Sequence, residues 1–82
     1  MHHDLKIWPQ YFERVRDGSK TFEVRDNDRG YQCCDTVRLQ EYEPHRSGGG
    51  LYTGRSFDFK IGYVLPLDDK RVVFSLLSLE AN

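Results

Sequence analysis

Eighty-two residues suffice for one small domain and leave little room for a large core. Twelve basic against thirteen acidic residues give a formal net charge of -1, which excludes a protein that coats nucleic acid through bulk charge alone. An aromatic fraction of 13% argues against disorder despite a mean hydropathy of -0.71. No run approaches the roughly 20 apolar residues of a membrane span, and no signal-peptide pattern precedes the first expected strand.

Leu5 and Ile7 alternate with Asp4 and Lys6, the period of a strand with one apolar face. Pro9 suits the first turn of a helix, where its missing N–H is no loss. Tyr11, Phe12 and Val15 share one side of a helix expected from about Pro9 to Asp17, with Gly18 as its stop. A helix this short needs a sheet to hold it. Phe22 and Val24 then alternate with Thr21, Glu23 and Arg25. The spacing predicts a strand with Phe22 and Val24 in the core and with Glu23 and Arg25 on the polar face, about 7 Å apart. Asn27 to Gly30 is a polar turn, and Asp35 to Tyr42 reads as a strand with Val37 and Leu39 inward.

Residues 43–50 read as a loop whose three successive glycines make its tip the most mobile part of the chain. Phe57, Phe59, Ile61 and Tyr63 alternate with Asp58, Lys60 and Gly62, a strong strand signal. After a turn from Pro66 to Lys70, residues 72–79 are apolar on both faces, as in a central strand or one wrapped inside a barrel. This order predicts an α+β fold: a small β-barrel with one main helix between the first two strands. Phe12, Val15, Phe22, Val24, Val37, Leu39, Phe57, Phe59, Ile61, Phe74 and Leu76 should form its core. No repeat or second unit stands out, so residues 1–82 are expected to make a single domain.

The chemistry concentrates in Gly18-Ser19-Lys20-Thr21-Phe22-Glu23-Val24-Arg25. Lys20 and Arg25 are cations and Glu23 is an acceptor, so the trio can hold a small ligand with mixed donors and acceptors. It can equally neutralise itself on a wet surface. Arg25 presents a planar fork to a phosphate or carbonyl, and Glu23 accepts from an exocyclic amine. Trp8, Tyr11, Tyr31 and Tyr52 lie near the motif or near Arg55, and Tyr52, in a glycine-rich polar setting, is the ring most suited to face a ligand. The turn at Asp26 to Gly30 offers Arg29 and backbone N–H groups to an anion, or is an ordinary turn. Residues 47–50 lack the Gly-Lys-Ser/Thr ending of a phosphate loop.

His2, His3, Cys33, Cys34 and His45 show no metal-ligand spacing, so neither metal nor cofactor is expected. Adjacent Cα atoms lie about 3.8 Å apart, below the roughly 4.4–6.8 Å usual for a disulfide. Cys33 and Cys34 are therefore expected to be reduced, filling a turn and part of the core in a cytoplasmic protein.

The Gly-x-Lys-x-x-Glu-x-Arg spacing from Gly18 to Arg25 resembles the signature of the ASCH domains (activating signal cointegrator homology), members of the PUA-like group of small β-barrels. His3-Asp4-Leu5-Lys6-Ile7-Trp8-Pro9, Arg25-Asp26-Asn27-Asp28-Arg29 and Tyr52-Thr53-Gly54-Arg55 resemble a short bacterial and phage branch, a domain of unknown function of the 3850 type. The resemblance covers nearly the whole chain. It departs at Cys33-Cys34-Asp35, where the family usually has a Gly-Asp turn. It implies a PUA-like barrel, a monomer or weak dimer, whose partner is RNA or a nucleotide-like ligand. Lys20, Glu23 and Arg25 would line its cleft, with Arg29, Tyr52 and Arg55 beside them.

Some small bacterial ASCH proteins are similar in size and are amidohydrolases of N4-acetylcytidine. Their motif keeps the lysine that matches Lys20 but has a threonine nucleophile where this chain has Glu23. An enzymatic alternative would therefore need Glu23 as general base for water and Lys20 as oxyanion stabiliser.

Overall fold

Strict alternation defines the first strand, β1 (His2–Ile7): His3, Leu5 and Ile7 point inward, while His2, Asp4 and Lys6 are exposed. The computed structural model describes residues 1–79, so the last three positions of the expected 1–82 unit lie outside the described residues. Helix α1 (Pro9–Arg16) opens on Pro9 and buries Phe12 and Val15. Gly18, at φ +85°, turns the chain away after the C-cap Asp17. No helix among the described residues is long and apolar enough to cross a membrane.

Strands β2 (Phe22–Asp26), β3 (Thr36–Pro44), β4 (Gly50–Pro66) and β5 (Arg71–Ser78) complete a five-stranded sheet in the order β1-β3-β4-β5-β2. β1 runs parallel to β3 and the remaining pairs are antiparallel. The helix thus carries the chain from one edge of the sheet to the other before the β3–β4–β5 meander fills the middle. The sheet curls into a half barrel. The molecule is mostly β with one short helix, in keeping with a small barrel-like α+β fold.

β4 is far longer than the expected stretch around Phe57–Tyr63. Its first part, Gly50 to Lys60, pairs with β3 and its last part, Phe59 to Pro66, with β5. Register shifts between Gln40 and Tyr42 and between Ile61 and Val64 supply the bends that let one strand serve both halves. The expected 43–50 loop shrinks to a turn at residues 45–49, closed by His45 N donating to Gly49 O at 3.0 Å. Gly50 permits this tight return, because a β-carbon there would lie 2.5 Å from the Glu43 carbonyl oxygen and 2.7 Å from the Tyr42 ring.

The core contains Leu5, Ile7, Phe12, Val15, Val37, Leu39, Ile61, Val72, Phe74 and Leu76 closed by Tyr31, with Phe59 packed against it. Three expected core residues are not in it. Phe57 is exposed and stacks on Phe59, with centroids 5.3 Å apart. Phe22 and Val24 are 45% and 42% exposed, whereas Glu23 is 3% exposed. The alternation of β2 is as expected, but the face is reversed, which in a strand of period two is a slip of a single residue. The reason lies in the fold: β2 is an edge strand whose inner face looks across the open side of the half barrel. A carboxylate is tolerated there when cations meet it, while Phe22 and Val24 lie opposite Ser75 and Val73 of β5 on the outer face.

Cys33 and Cys34 also depart from expectation, being exposed in the turn before β3 rather than in the core. Cys34 has φ +76°, the backbone conformation that a glycine adopts without cost.

Truncating Phe74, 1% exposed, should destabilise the domain by about 3–5 kcal/mol. Phe22→Ala should cost less than about 1 kcal/mol. Thermal unfolding of the two variants side by side checks the reversed register, and a larger loss at Phe22 would contradict it.

Candidate functional site

Glu23 is the centre of the polar cluster. β2 aims its side chain inward, and two cations of the same segment close on it. Lys20, just ahead of β2, hydrogen-bonds Oε1, and Arg25, two residues along on the same face, donates from Nε to Oε2 at 2.9 Å. Arg25 also reaches across the open side of the half barrel, where its Nη2 donates to the Lys6 carbonyl oxygen at 2.7 Å. Arg29 repeats this one step along β1, with Nη1 donating to the Asp4 carbonyl oxygen at 3.1 Å. Residues two apart on a strand direct their carbonyls to the same side, so the two arginines dress the free edge of β1.

Above the cluster lies a cleft of about 390 Å³ lined by Lys6, Ile7, Trp8, Tyr11, Lys20, Glu23, Val24 and Arg25. Its walls are aromatic. Trp8 caps the start of α1 and Tyr11 follows one helical turn later, so their rings stack nearly parallel with centroids 6.4 Å apart. Both rings are about half exposed, at 49% and 48%. The Lys20 ammonium lies 5.7 Å from the Tyr11 ring centre, and the Lys6 ammonium 4.5 Å from that of Tyr42. A buried carboxylate with two committed cations, beneath exposed flat rings, suits a planar ligand that offers both donors and acceptors.

The gathering of Lys20, Glu23 and Arg25 in one cleft gives the Gly-x-Lys-x-x-Glu-x-Arg spacing a physical meaning. A family model described as a domain of unknown function, DUF3850, matches residues 2–76. The chain belongs to the DUF3850 family. This DUF3850 chain is also 36% identical over 67 residues to the "Uncharacterized 12.9 kDa protein in GpA 3'region" of Escherichia phage P2, an alignment covering 82% of this chain and 57% of that protein. The chain therefore spans less than two thirds of that relative's length.

The other expected site residues of this DUF3850 chain do not line the cleft itself. Arg29 lines a smaller recess of about 170 Å³ with Leu5, Arg25, Asp26, Asp28 and Tyr31. Tyr52 packs edge-on against Tyr42, and with Arg55 it lines a third recess of about 130 Å³. Neither Tyr52 nor Arg55, expected at its rim, is among the residues that line the Lys20–Glu23–Arg25 cleft, although the Lys6 ammonium lies 5.9 Å from the Tyr52 ring centre. The register shift after Gln40 brings Thr53 and Arg55 against Glu41 instead. Arg55 grips Glu41 through Nε and Nη2, both at 2.8 Å, and Glu13 of α1 through Nη2 at 2.7 Å. Its guanidinium lies over the Phe12 ring. This second cluster fastens the helix to the sheet.

Lys6, Ile7, Trp8, Tyr11 and Val24 line the cleft without belonging to the expected site, although the sequence places the Trp8 and Tyr11 rings near the motif. The available signal was positional: Trp8 at the helix start and Tyr11 three residues on share one side of the first turn. Among the described residues no group of three or more His, Cys, Asp or Glu is placed to hold a metal ion.

The hydrogen bonds from Arg55 hold the buried Glu41 carboxyl below its usual range, outweighing burial, with Thr53 helping. Burial pushes Asp35 up, but the His3 imidazole, the Met1 amino group and the Gln32 N–H outweigh it and leave Asp35 low. Both groups titrate lower folded than unfolded, so their stabilisation is complete above the ordinary carboxylate range of about pH 4–5. It drains away as pH falls through the lowered folded values. Glu41→Gln should flatten this acid limb of the melting-temperature profile between about pH 6 and about pH 3. Parallel profiles for parent and variant would remove Glu41 from the account.

Proposed function

We propose that this DUF3850 chain is an ASCH-like, PUA-like binding module whose cleft takes a nucleobase of single-stranded RNA or a nucleotide-like ligand. The observation that carries the reading is the buried Glu23 carboxylate, clamped by Lys20 and Arg25 in the same cleft that the half-exposed Trp8 and Tyr11 rings line. Single-stranded RNA is read by stacking bases on such rings while polar groups bond their edges. Arg25 spends Nε and Nη2 on Glu23 and Lys6, and among the described residues its Nη1 has no protein partner. That leaves a donor for a base carbonyl or a phosphate. The Gly18-to-Arg25 spacing supports the ASCH assignment, and the free adjacent thiols fit a reducing, cytoplasmic setting.

Hydrolysis of an N4-acetylated nucleoside is the weaker reading. A general base must take a proton from water, yet Lys20 holds Oε1 of Glu23 and Arg25 holds Oε2. This arrangement favours a fixed acceptor over a proton carrier.

Trp8 is the chain's single tryptophan, so its fluorescence reports directly on the cleft. Short single-stranded RNAs should quench it. Trp8→Phe, followed by calorimetry, should keep most of the affinity, and Trp8→Ala should lose about 1–3 kcal/mol of binding. Arg25→Ala should weaken binding and, if it meets a phosphate, lower the salt slope by about 0.7. Arg38→Ala, which breaks an exposed pair with Asp58 away from the cleft, should leave both unchanged. Equal binding by all four variants, or release of acetate from N4-acetylcytidine that Glu23→Gln abolishes, would overturn the reading.

A further inference from the structure

Two thiols at the opposite end of β1 from the cleft have no part in the site above. Cys33 and Cys34 are exposed and free, and their sulfurs stand 3.4 Å apart in hydrogen-bond contact. The turn that carries them is pinned to the sheet on both sides. Cys34 N donates to Ile61 O and Ile61 N to Asp35 O, each at 2.8 Å. The Asp35 carboxylate in turn accepts from buried His3 Nε2 at 2.9 Å and from Gln32 N at 3.0 Å. The backbone that carries the sulfur pair is therefore fixed to the sheet.

The spacing decides what such a pair can hold. A direct disulfide would draw the sulfurs to about 2.05 Å across Cα atoms only about 3.8 Å apart, giving a strained and easily reduced bond. The hydrogen bond to Cys34, with burial adding to it, also pushes the Cys33 thiol up, so it stays protonated near neutrality and attacks disulfides slowly. Tetrahedral zinc takes about four ligands, and among the described residues no set of three candidate donors exists. A linear two-coordinate ion with bonds of about 2.3 Å would want the sulfurs about 4.6 Å apart. With that same bond length, one atom bridging sulfurs 3.4 Å apart subtends about 95°. That is the angle of a pyramidal trivalent centre.

We infer that Cys33 and Cys34 form a dithiol site for a trivalent thiophilic metalloid, with monosubstituted arsenic(III) as the ligand type. The step is a condensation. Both S–H protons pass to the oxygen of an arsenoxide, two As–S bonds form, one water leaves, and arsenic stays trivalent throughout. The organic substituent holds the third position, so no further protein ligand is required.

Phenylarsine oxide added to the intact protein tests this by mass spectrometry and competition. One adduct per chain is expected, blocking iodoacetamide labelling of both cysteines. Dimercaptopropanol should remove it, and mercaptoethanol at the same thiol concentration should not. Cys33→Ser and Cys34→Ser should each weaken binding by on the order of 100-fold, the loss of one arm of a chelate. Circular dichroism confirms that both variants keep the fold. An adduct that mercaptoethanol strips equally well, or a single variant that binds as tightly as the parent, overturns the inference.

Discussion

The Glu23 carboxylate is the constraint around which the open side of this molecule is built. A buried charge costs several kcal/mol unless it is paired and hydrogen-bonded, and here both oxygens meet cations from within five residues of chain. The pairing is local, but its reach is not. Arg25 spends a second hydrogen bond on the carbonyl of Lys6, joining β2 to β1, the two strands that stand at opposite edges of the sheet. What a closed barrel achieves with a backbone ladder is done here by guanidinium groups. They also cover carbonyls on the free β1 edge that would otherwise be open to pairing with a foreign strand.

That solution shapes the cleft. Its cations are already engaged, so an entering anion meets no bare field and must exchange for existing contacts or add to them. Shape and flat apolar surface consequently carry more weight than charge, in keeping with the balanced composition. Trp8 and Tyr11 supply that surface, and the Lys6 and Lys20 ammonium groups each lie within cation–π range of an aromatic ring.

Much of the architecture was legible in the chain. Alternation located β1, β2 and the second half of β4 but not the first half of β4, and β5 showed as an apolar run. Pro9 and Gly18 bracketed the helix, and the Gly18-to-Arg25 spacing singled out three residues that do share a cleft. The face of β2 was not legible, because Phe22 and Val24 against Glu23 and Arg25 look like a core face and a wet face when hydrophobicity alone decides. Only the position of β2 at the sheet edge, across from β1, inverts that assignment, and edge position is a property of topology. Arg55 was misplaced for a related reason. The register shift at Gln40 and Tyr42 has no local sequence mark, yet it delivers Arg55 to Glu41 and Glu13 instead of to the Lys20–Glu23–Arg25 cleft.

The long bent strand β4 has a bearing on how the molecule assembles and comes apart. It joins β3 and β5 through short turns, so the central meander can form from contacts near in sequence. β1 must find β3 across some thirty residues of chain, and β2 must find β5 across nearly fifty, so both edges dock at a greater entropic cost of loop closure. The cleft therefore lies between the two strands whose pairing closes the longest stretches of chain. Native-state opening should begin there, with the arginine bridges giving way before the meander loosens. An occupant of the cleft would act as a clasp on that opening, slowing the fraying of both edges at once.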